Sequence, residues 1–171
     1  MRTFRITTAA AALTALVAPV AGVAAAPSAT AAPTRDIITG TPGPDFPDGT
    51  RGDDVIRVFA GDDVVTARGG ADRVWLGPGA DAGYGDRGKD QIVDGRGHDR
   101  VYGGPGGDRI GNSYGHDRIW AGGGRDTIWL PPADGVDRLR CGPGFDTVIY
   151  NLERDRSDVI AGDCEEVLVL S

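Results

Sequence analysis

The side chains whose number and spacing could do chemistry in this sequence are its aspartates. One falls at every ninth position, at Asp36, Asp45, Asp54, Asp63, Asp72, Asp81, Asp90, Asp99, Asp108, Asp117 and Asp126. From Asp45 onward a glycine stands two residues before each, from Gly43 to Gly124. Two residues after each comes an aliphatic side chain at nearly every copy, Pro47 and Gly83 being the exceptions. Of the 25 acidic residues 22 are Asp, which prefers turns and caps to helix interiors, so the carboxylates belong in turns. Crowded carboxylates repel one another and need positive charge between them. Lys89 is the only lysine of the repeats, and Arg73, Arg100, Arg109 and Arg118 follow their aspartates into the strand. A bound cation answers the need better. Carboxylate and glycine carbonyl oxygens, without sulfur or nitrogen, describe a hard cation. Calcium accepts six or more oxygens in loose geometry, whereas magnesium keeps its waters.

The nine-residue period also dictates the elements that must position these groups. A glycine-bearing turn and a short strand use one unit, and two units return the chain to its starting edge, so one coil takes 18 residues. The expected architecture is all-β with almost no helix: a parallel β-roll, that is, a right-handed two-sided solenoid of 18 residues per coil with a disulfide-linked C-terminal cap. Roughly six coils stacked about 4.8 Å apart make a rod near ~30 Å long. Residues 18 apart then become neighbours. Asp54, Asp72, Asp90, Asp108 and Asp126 line one edge, and Asp45, Asp63, Asp81, Asp99 and Asp117 the other. Inside, Ile56, Val74, Ile92, Ile110 and Ile128 form a column facing Val65, Val101 and Ile119. Gly83 interrupts the second column, where a thin core is expected.

The chain divides into four stretches. Residues 1–31 read as a secretory signal peptide: Arg2 and Arg5 precede an uncharged apolar run from Ile6 to Val23, and Ala29-Thr30-Ala31 offers small residues for cleavage, with Ala25 or Ala26 as alternative cut points. Residues 32–48, with Ile37-Ile38 as a short strand and Pro42, Pro44 and Pro47 behind it, form an N-terminal cap. Residues 49–130 hold the repeats in register, and residues 131–171 hold degenerate repeats and the C-terminal cap. The register breaks after Asp126, since the next Gly-x-Asp ends at Asp137 behind Pro131-Pro132; it resumes at Asp146. Strands are expected at 147–150, 158–161 and 166–170. Cys141 and Cys164 are the only cysteines, and in an exported chain such a pair forms a disulfide.

The repeat G-x-D-x-U-x resembles the repeats-in-toxin calcium-binding nonapeptide G-G-x-G-x-D-x-U-x. Its best local matches run from Gly103 to Gly111 and from Gly122 to Trp129. The resemblance implies a parallel β-roll that binds several calcium ions between successive coils. The expected ligands are Asp54, Asp63, Asp72, Asp81, Asp90, Asp99, Asp108, Asp117 and Asp126 with the turn carbonyls of Gly104, Gly106, Gly122 and Gly124. Val58-Phe59, Ala67-Arg68 and Asn112-Ser113 replace the first two glycines in their units, so those sites are expected to be weak or empty. The whole resembles the small secreted hemolysin-type calcium-binding proteins of bacteria.

The functional expectation is a secreted, calcium-binding structural or binding module folded by its ion. A formal net charge of −7 argues against nucleic acid, whose phosphates require clustered positive charge. After the leader no apolar run is long enough to span a bilayer. Tyr84, Tyr102 and Trp120 share the 18-residue spacing and should project outward as an aromatic ladder. The ladder gives the alternative: an adhesin or cell-wall binder for an extracellular polysaccharide or cell surface. His98 and His116 are stacked by the same spacing and read as exposed turn residues rather than as a metal pair. No nucleophile elbow, zinc-protease motif or phosphate loop is present, so an enzyme, such as one modifying polysaccharides, is not expected.

Overall fold

From Gly49 to Trp129 glycine-rich turns and short β-branched runs leave no stretch where an α-helix could nucleate. The computed structural model describes residues 35–132 and 135–170, and among these there is no helix; the signal peptide expected at residues 1–31 lies outside the described residues. Fourteen strands follow one another: β1 (Ile37–Thr39), β2 (Val55–Arg57), β3 (Val64–Thr66), β4 (Arg73–Trp75), β5 (Ala82–Tyr84), β6 (Gln91–Val93), β7 (Arg100–Gly106), β8 (Arg109–Gly111), β9 (Arg118–Gly124), β10 (Thr127–Leu130), β11 (Arg138–Arg140), β12 (Thr147–Asn151), β13 (Val159–Ile160) and β14 (Glu166–Leu170). From β2 onward the strands alternate between two parallel sheets. One has eight strands in the order β1-β2-β4-β6-β8-β10-β12-β14, the other six in the order β13-β11-β9-β7-β5-β3. The described residues thus form a two-sided solenoid of about 7 turns, one turn more than the sequence suggested, because the C-terminal strands continue the stack.

The register is the sequence period made physical. Ile38, Ile56, Val74, Ile92, Ile110, Ile128 and Val148 pair in one unbroken inward column. Val65, Gly83, Val101, Ile119, Leu139 and Ile160 form the opposing one. A further inward row, four residues after the aspartates, closes the core at the turns with Val58, Leu76, Leu130 and Tyr150, all buried. That row corrects the expectation of a thin core at Gly83. A Cβ on Gly83 would lie 2.9 Å from Leu76 Cδ1, so the leucine fills the space the glycine vacates.

Beyond Asp126 the coil absorbs two extra residues without losing its stacking. Thr127–Leu130 pairs with Thr147–Tyr150, and Arg138–Arg140 pairs with Arg118–Trp120, at a step of 20 instead of 18. The Cys141–Cys164 disulfide, with Cα atoms 5.2 Å apart, ties the last coils together. Closing a loop of 23 residues removes enough unfolded-state entropy to stabilise by about 3 kcal/mol. At the other end Pro47 sits in the first coil, where it only accepts, from Thr66 N–H, so its missing donor costs nothing.

From Gly61 onward the glycine two residues before the aspartate is required by the stacking itself. A Cβ on Gly106 would sit 1.4 Å from the carbonyl oxygen of Gly88, one coil earlier, and the same clash recurs at Gly88, Gly97, Gly115, Gly124 and Gly144. Gly123, one position away in the same turn, has 3.8 Å to its nearest neighbour, Pro143 O. Gly106→Ala should therefore destabilise the folded protein by about 1–3 kcal/mol, as overpacking does, while Gly123→Ala leaves it unchanged or slightly more stable. Thermal unfolding of the two variants side by side checks this; equal melting temperatures would contradict the stacking argument.

Candidate metal centre

Each repeat aspartate stands where a turn enters a strand, and its short side chain reaches one coil back. Oδ1 of Asp72 accepts the backbone N–H of Asp54 at 2.7 Å, Asp90 that of Asp72 at 2.9 Å, Asp108 that of Asp90 at 2.9 Å and Asp126 that of Asp108 at 2.8 Å. On the other edge Asp63, Asp81, Asp99 and Asp117 accept from Asp45, Asp63, Asp81 and Asp99 at 2.7–2.8 Å. Both ladders run on past the break in the sequence period. Asp137 accepts from Asp117 N–H and Asp146 from Asp126 N–H, and Asp158 accepts from Asp137 N–H at 2.9 Å.

The second oxygen tells the ends of the rows from the middle. At the N-terminal end Asp45 Oδ2 accepts from Thr41 and Asp54 Oδ2 from Thr50, each through backbone N–H and hydroxyl. At the C-terminal end Asp158 Oδ2 accepts from the Tyr150 hydroxyl at 2.8 Å. Between them, Oδ2 of Asp63, Asp72, Asp81, Asp90, Asp99, Asp108, Asp117, Asp126 and Asp146 is buried and has no hydrogen-bond partner. A buried carboxylate oxygen without a donor costs several kcal/mol unless a proton or cation meets it. Of the ligands expected from the sequence, Asp63 to Asp126 share this geometry, whereas Asp54 has both oxygens engaged by the chain.

Burial acts on the protonation of these groups as directly as on their bonding. Loss of solvent pushes Asp72 and Asp81 up to about 6 and Asp90, Asp99 and Asp108 up to about 7. In each case the N–H bond from the preceding coil opposes the shift, and neighbouring carboxylates add to it. The chemistry of the donor set is oxygen alone. Glycines of successive turns stack on one another: Gly104 and Gly106 of β7 pair with Gly122 and Gly124 of β9, close enough that a Cβ on Gly122 would lie 2.0 Å from Gly104 O. Buried, partnerless carboxylate oxygens fit a hard divalent cation such as calcium.

The other side chains that share the 18-residue spacing stack as well. Tyr84, Tyr102 and Trp120 do form a ladder, with ring centroids 4.7 and 4.6 Å apart and planes within 3° of parallel. His98 and His116 lie 5.2 Å apart. Their Nδ1 atoms accept the backbone N–H groups of His116 and Val136 in the next coils, as Asp53 and Asp62 do for Ala71 and Ala80. The sequence places Asp137 and Asp146 in degenerate repeats without counting them among the ligands, and the structure sets both in the rows at a step of 20. It does not single out Asp94, a buried residue whose carboxylate clusters with those of Asp99 and Asp117; a polar residue at the first-glycine position of the repeat was the available signal.

A protein-family model described as the RTX calcium-binding nonapeptide repeat (4 copies) matches residues 33–57, 39–74, 48–82, 84–110 and 113–130, together more than half of the chain. No curated protein and no solved structure shows significant similarity to it.

In metal-free protein the raised carboxyl groups set the sign of the pH dependence. Folded Asp72, Asp81, Asp90, Asp99 and Asp108 hold protons up to pH of about 6 to 7, whereas unfolded Asp releases them near about 3.9. The folded state therefore binds more protons between those limits. Its stability from this source is complete below about pH 4 and is lost as pH rises through about 7. Chelated protein should hold more β-structure at about pH 5 than at pH 8, read by far-UV circular dichroism. A β-content that rises with pH over this window would contradict it.

Proposed function

The chain belongs to the RTX calcium-binding nonapeptide repeat family, and from that premise we propose that it is a secreted protein whose β-roll folds around several calcium ions, acting as a structural or binding module. The observation that carries this reading is the row of buried Oδ2 atoms without partners on both edges. Asp63, Asp72, Asp81, Asp90, Asp99, Asp108, Asp117 and Asp126 supply carboxylate ligands, and Gly104, Gly106, Gly122 and Gly124 supply carbonyls from the stacked turns. Asp54 closes its row through Thr50 and serves as a cap. Bound calcium supplies the positive charge that Arg and Lys do not bring to the turns.

Export is supported by the leader-like residues 1–31 and by the disulfide, which persists in oxidising surroundings. Among the described residues no helix is long and apolar enough to cross a membrane. Residues 32–48 and 131–171 act as caps on the repeats of 49–130 in this reading, and catalysis has no part in it. Polysaccharide binding by Tyr84, Tyr102 and Trp120 finds less support. Each ring covers the face of the next, so the column offers mainly edges, where stacking on a sugar would need an open face.

Extracellular calcium modules of this chemistry bind at roughly 10⁻⁴–10⁻³ M, and each filled site adds about 2.7 kcal/mol when calcium stands 100-fold above its Kd. At pH 8 the chain should be largely unstructured in EDTA and become β-rich on adding excess calcium, with magnesium unable to substitute. Far-UV circular dichroism reads this directly. A β-rich spectrum that chelation leaves unchanged would overturn ion-coupled folding.

A further inference from the structure

The inward row four residues after the aspartates is apolar at both ends and polar in the middle. Along one side it runs Val58, Leu76, Asp94, Asn112, Leu130 and Tyr150, one residue per coil. All but Asn112 are almost fully buried, Asp94 to 0 % exposure. A carboxylate at an interior position filled elsewhere by Leu and Val needs a specific partner. Asp94 Oδ1 accepts the Ser113 N–H at 2.8 Å, but Oδ2 has none.

Two further carboxylates converge there. Carboxylate oxygens of Asp94, Asp99 and Asp117 lie within 4.8 Å of one another, the spread that oxygens about 2.3–2.6 Å from a shared calcium ion would have. Asp99 and Asp117 also have buried, partnerless Oδ2 atoms. Asn112 Nδ2 donates to Asp137 Oδ2 at 2.7 Å, which fixes the amide orientation and leaves Oδ1 buried and unpaired. Among the described residues, no other group of three such side chains is brought this close.

We propose that Asp94, Asp99 and Asp117 form a dedicated divalent-cation site inside the roll that binds calcium more tightly than the sites made by turn carbonyls and a column aspartate alone. The proposal rests on the calcium reading above. Asp94 stands at a first-glycine position of its unit, so there a side chain adds a ligand in place of backbone. Three carboxylates exceed the charge of one divalent ion, and a rigid interior with little room for water favours calcium over magnesium. Ligand charge and rigidity are the variables that tighten such sites.

Equilibrium dialysis of the full chain at stepped free calcium, with bound ion measured by mass spectrometry, tests this against Asp94→Gly, which restores the glycine of the repeat. Wild-type protein should take up one ion per chain at free calcium about tenfold below that filling the remaining sites. Asp94→Gly should lose that first step and keep the later ones, with an unchanged circular dichroism spectrum at saturating calcium. Should Asp94→Gly fail to fold, Asp94→Asn decides, because its amide oxygen can still accept from Ser113; its first step should move about tenfold upward and merge with the rest. Binding curves of folded variants that superimpose on wild type would overturn the dedicated site and leave the family calcium sites standing. Absence of any calcium uptake by wild type would overturn both.

Discussion

The structure depends on one repeated hydrogen bond, from the backbone N–H of an aspartate to the carboxylate of the aspartate one coil later. It sets the coil spacing, fixes the side-chain rotamer and draws each carboxylate out of solvent. Its consequence is a stacked row of negative charges. At a strand separation of about 4.8 Å and an effective dielectric of about 20, adjacent charges repel by roughly 3 kcal/mol. The bond that builds the solenoid also creates the field that opposes it.

The remaining composition answers that conflict. Aspartate is chosen over glutamate because the carboxylate must reach its own stack and no further. Glycine precedes it because carbonyls one coil away occupy the place of a Cβ, to within 1.3–1.8 Å from Gly79 to Gly124. Isoleucine and valine follow because the strand has one inward residue per turn with which to build the core. Where the row ends, threonine or tyrosine hydroxyls replace the cation. The middle of the roll has no such donors at its Oδ2 atoms.

Most of this was legible in the sequence because solenoid geometry is a direct transcription of a period. The two sheets, the 18-residue register, the two aspartate edges, the aromatic ladder and the Cys141–Cys164 bond follow from counting residues. What was illegible is where a side chain leaves its unit to act in another. Leu76 fills the space above Gly83, which no alignment of columns reveals. Asp137 and Asp146 rejoin their rows after a two-residue insertion because turns absorb length while strands hold register. Asp94 visibly replaces the first glycine of its unit, but only the closed core shows which carboxylates it meets.

The most direct test of the account is a crystal structure grown with calcium, with anomalous difference density collected at long wavelength. The account predicts peaks in two rows, one along each edge, each within about 2.3–2.6 Å of an Oδ2 atom from Asp63 to Asp126. Carboxylates in the same positions with no anomalous peak beside them would contradict it, and would mean that protons, not cations, neutralise the buried charge.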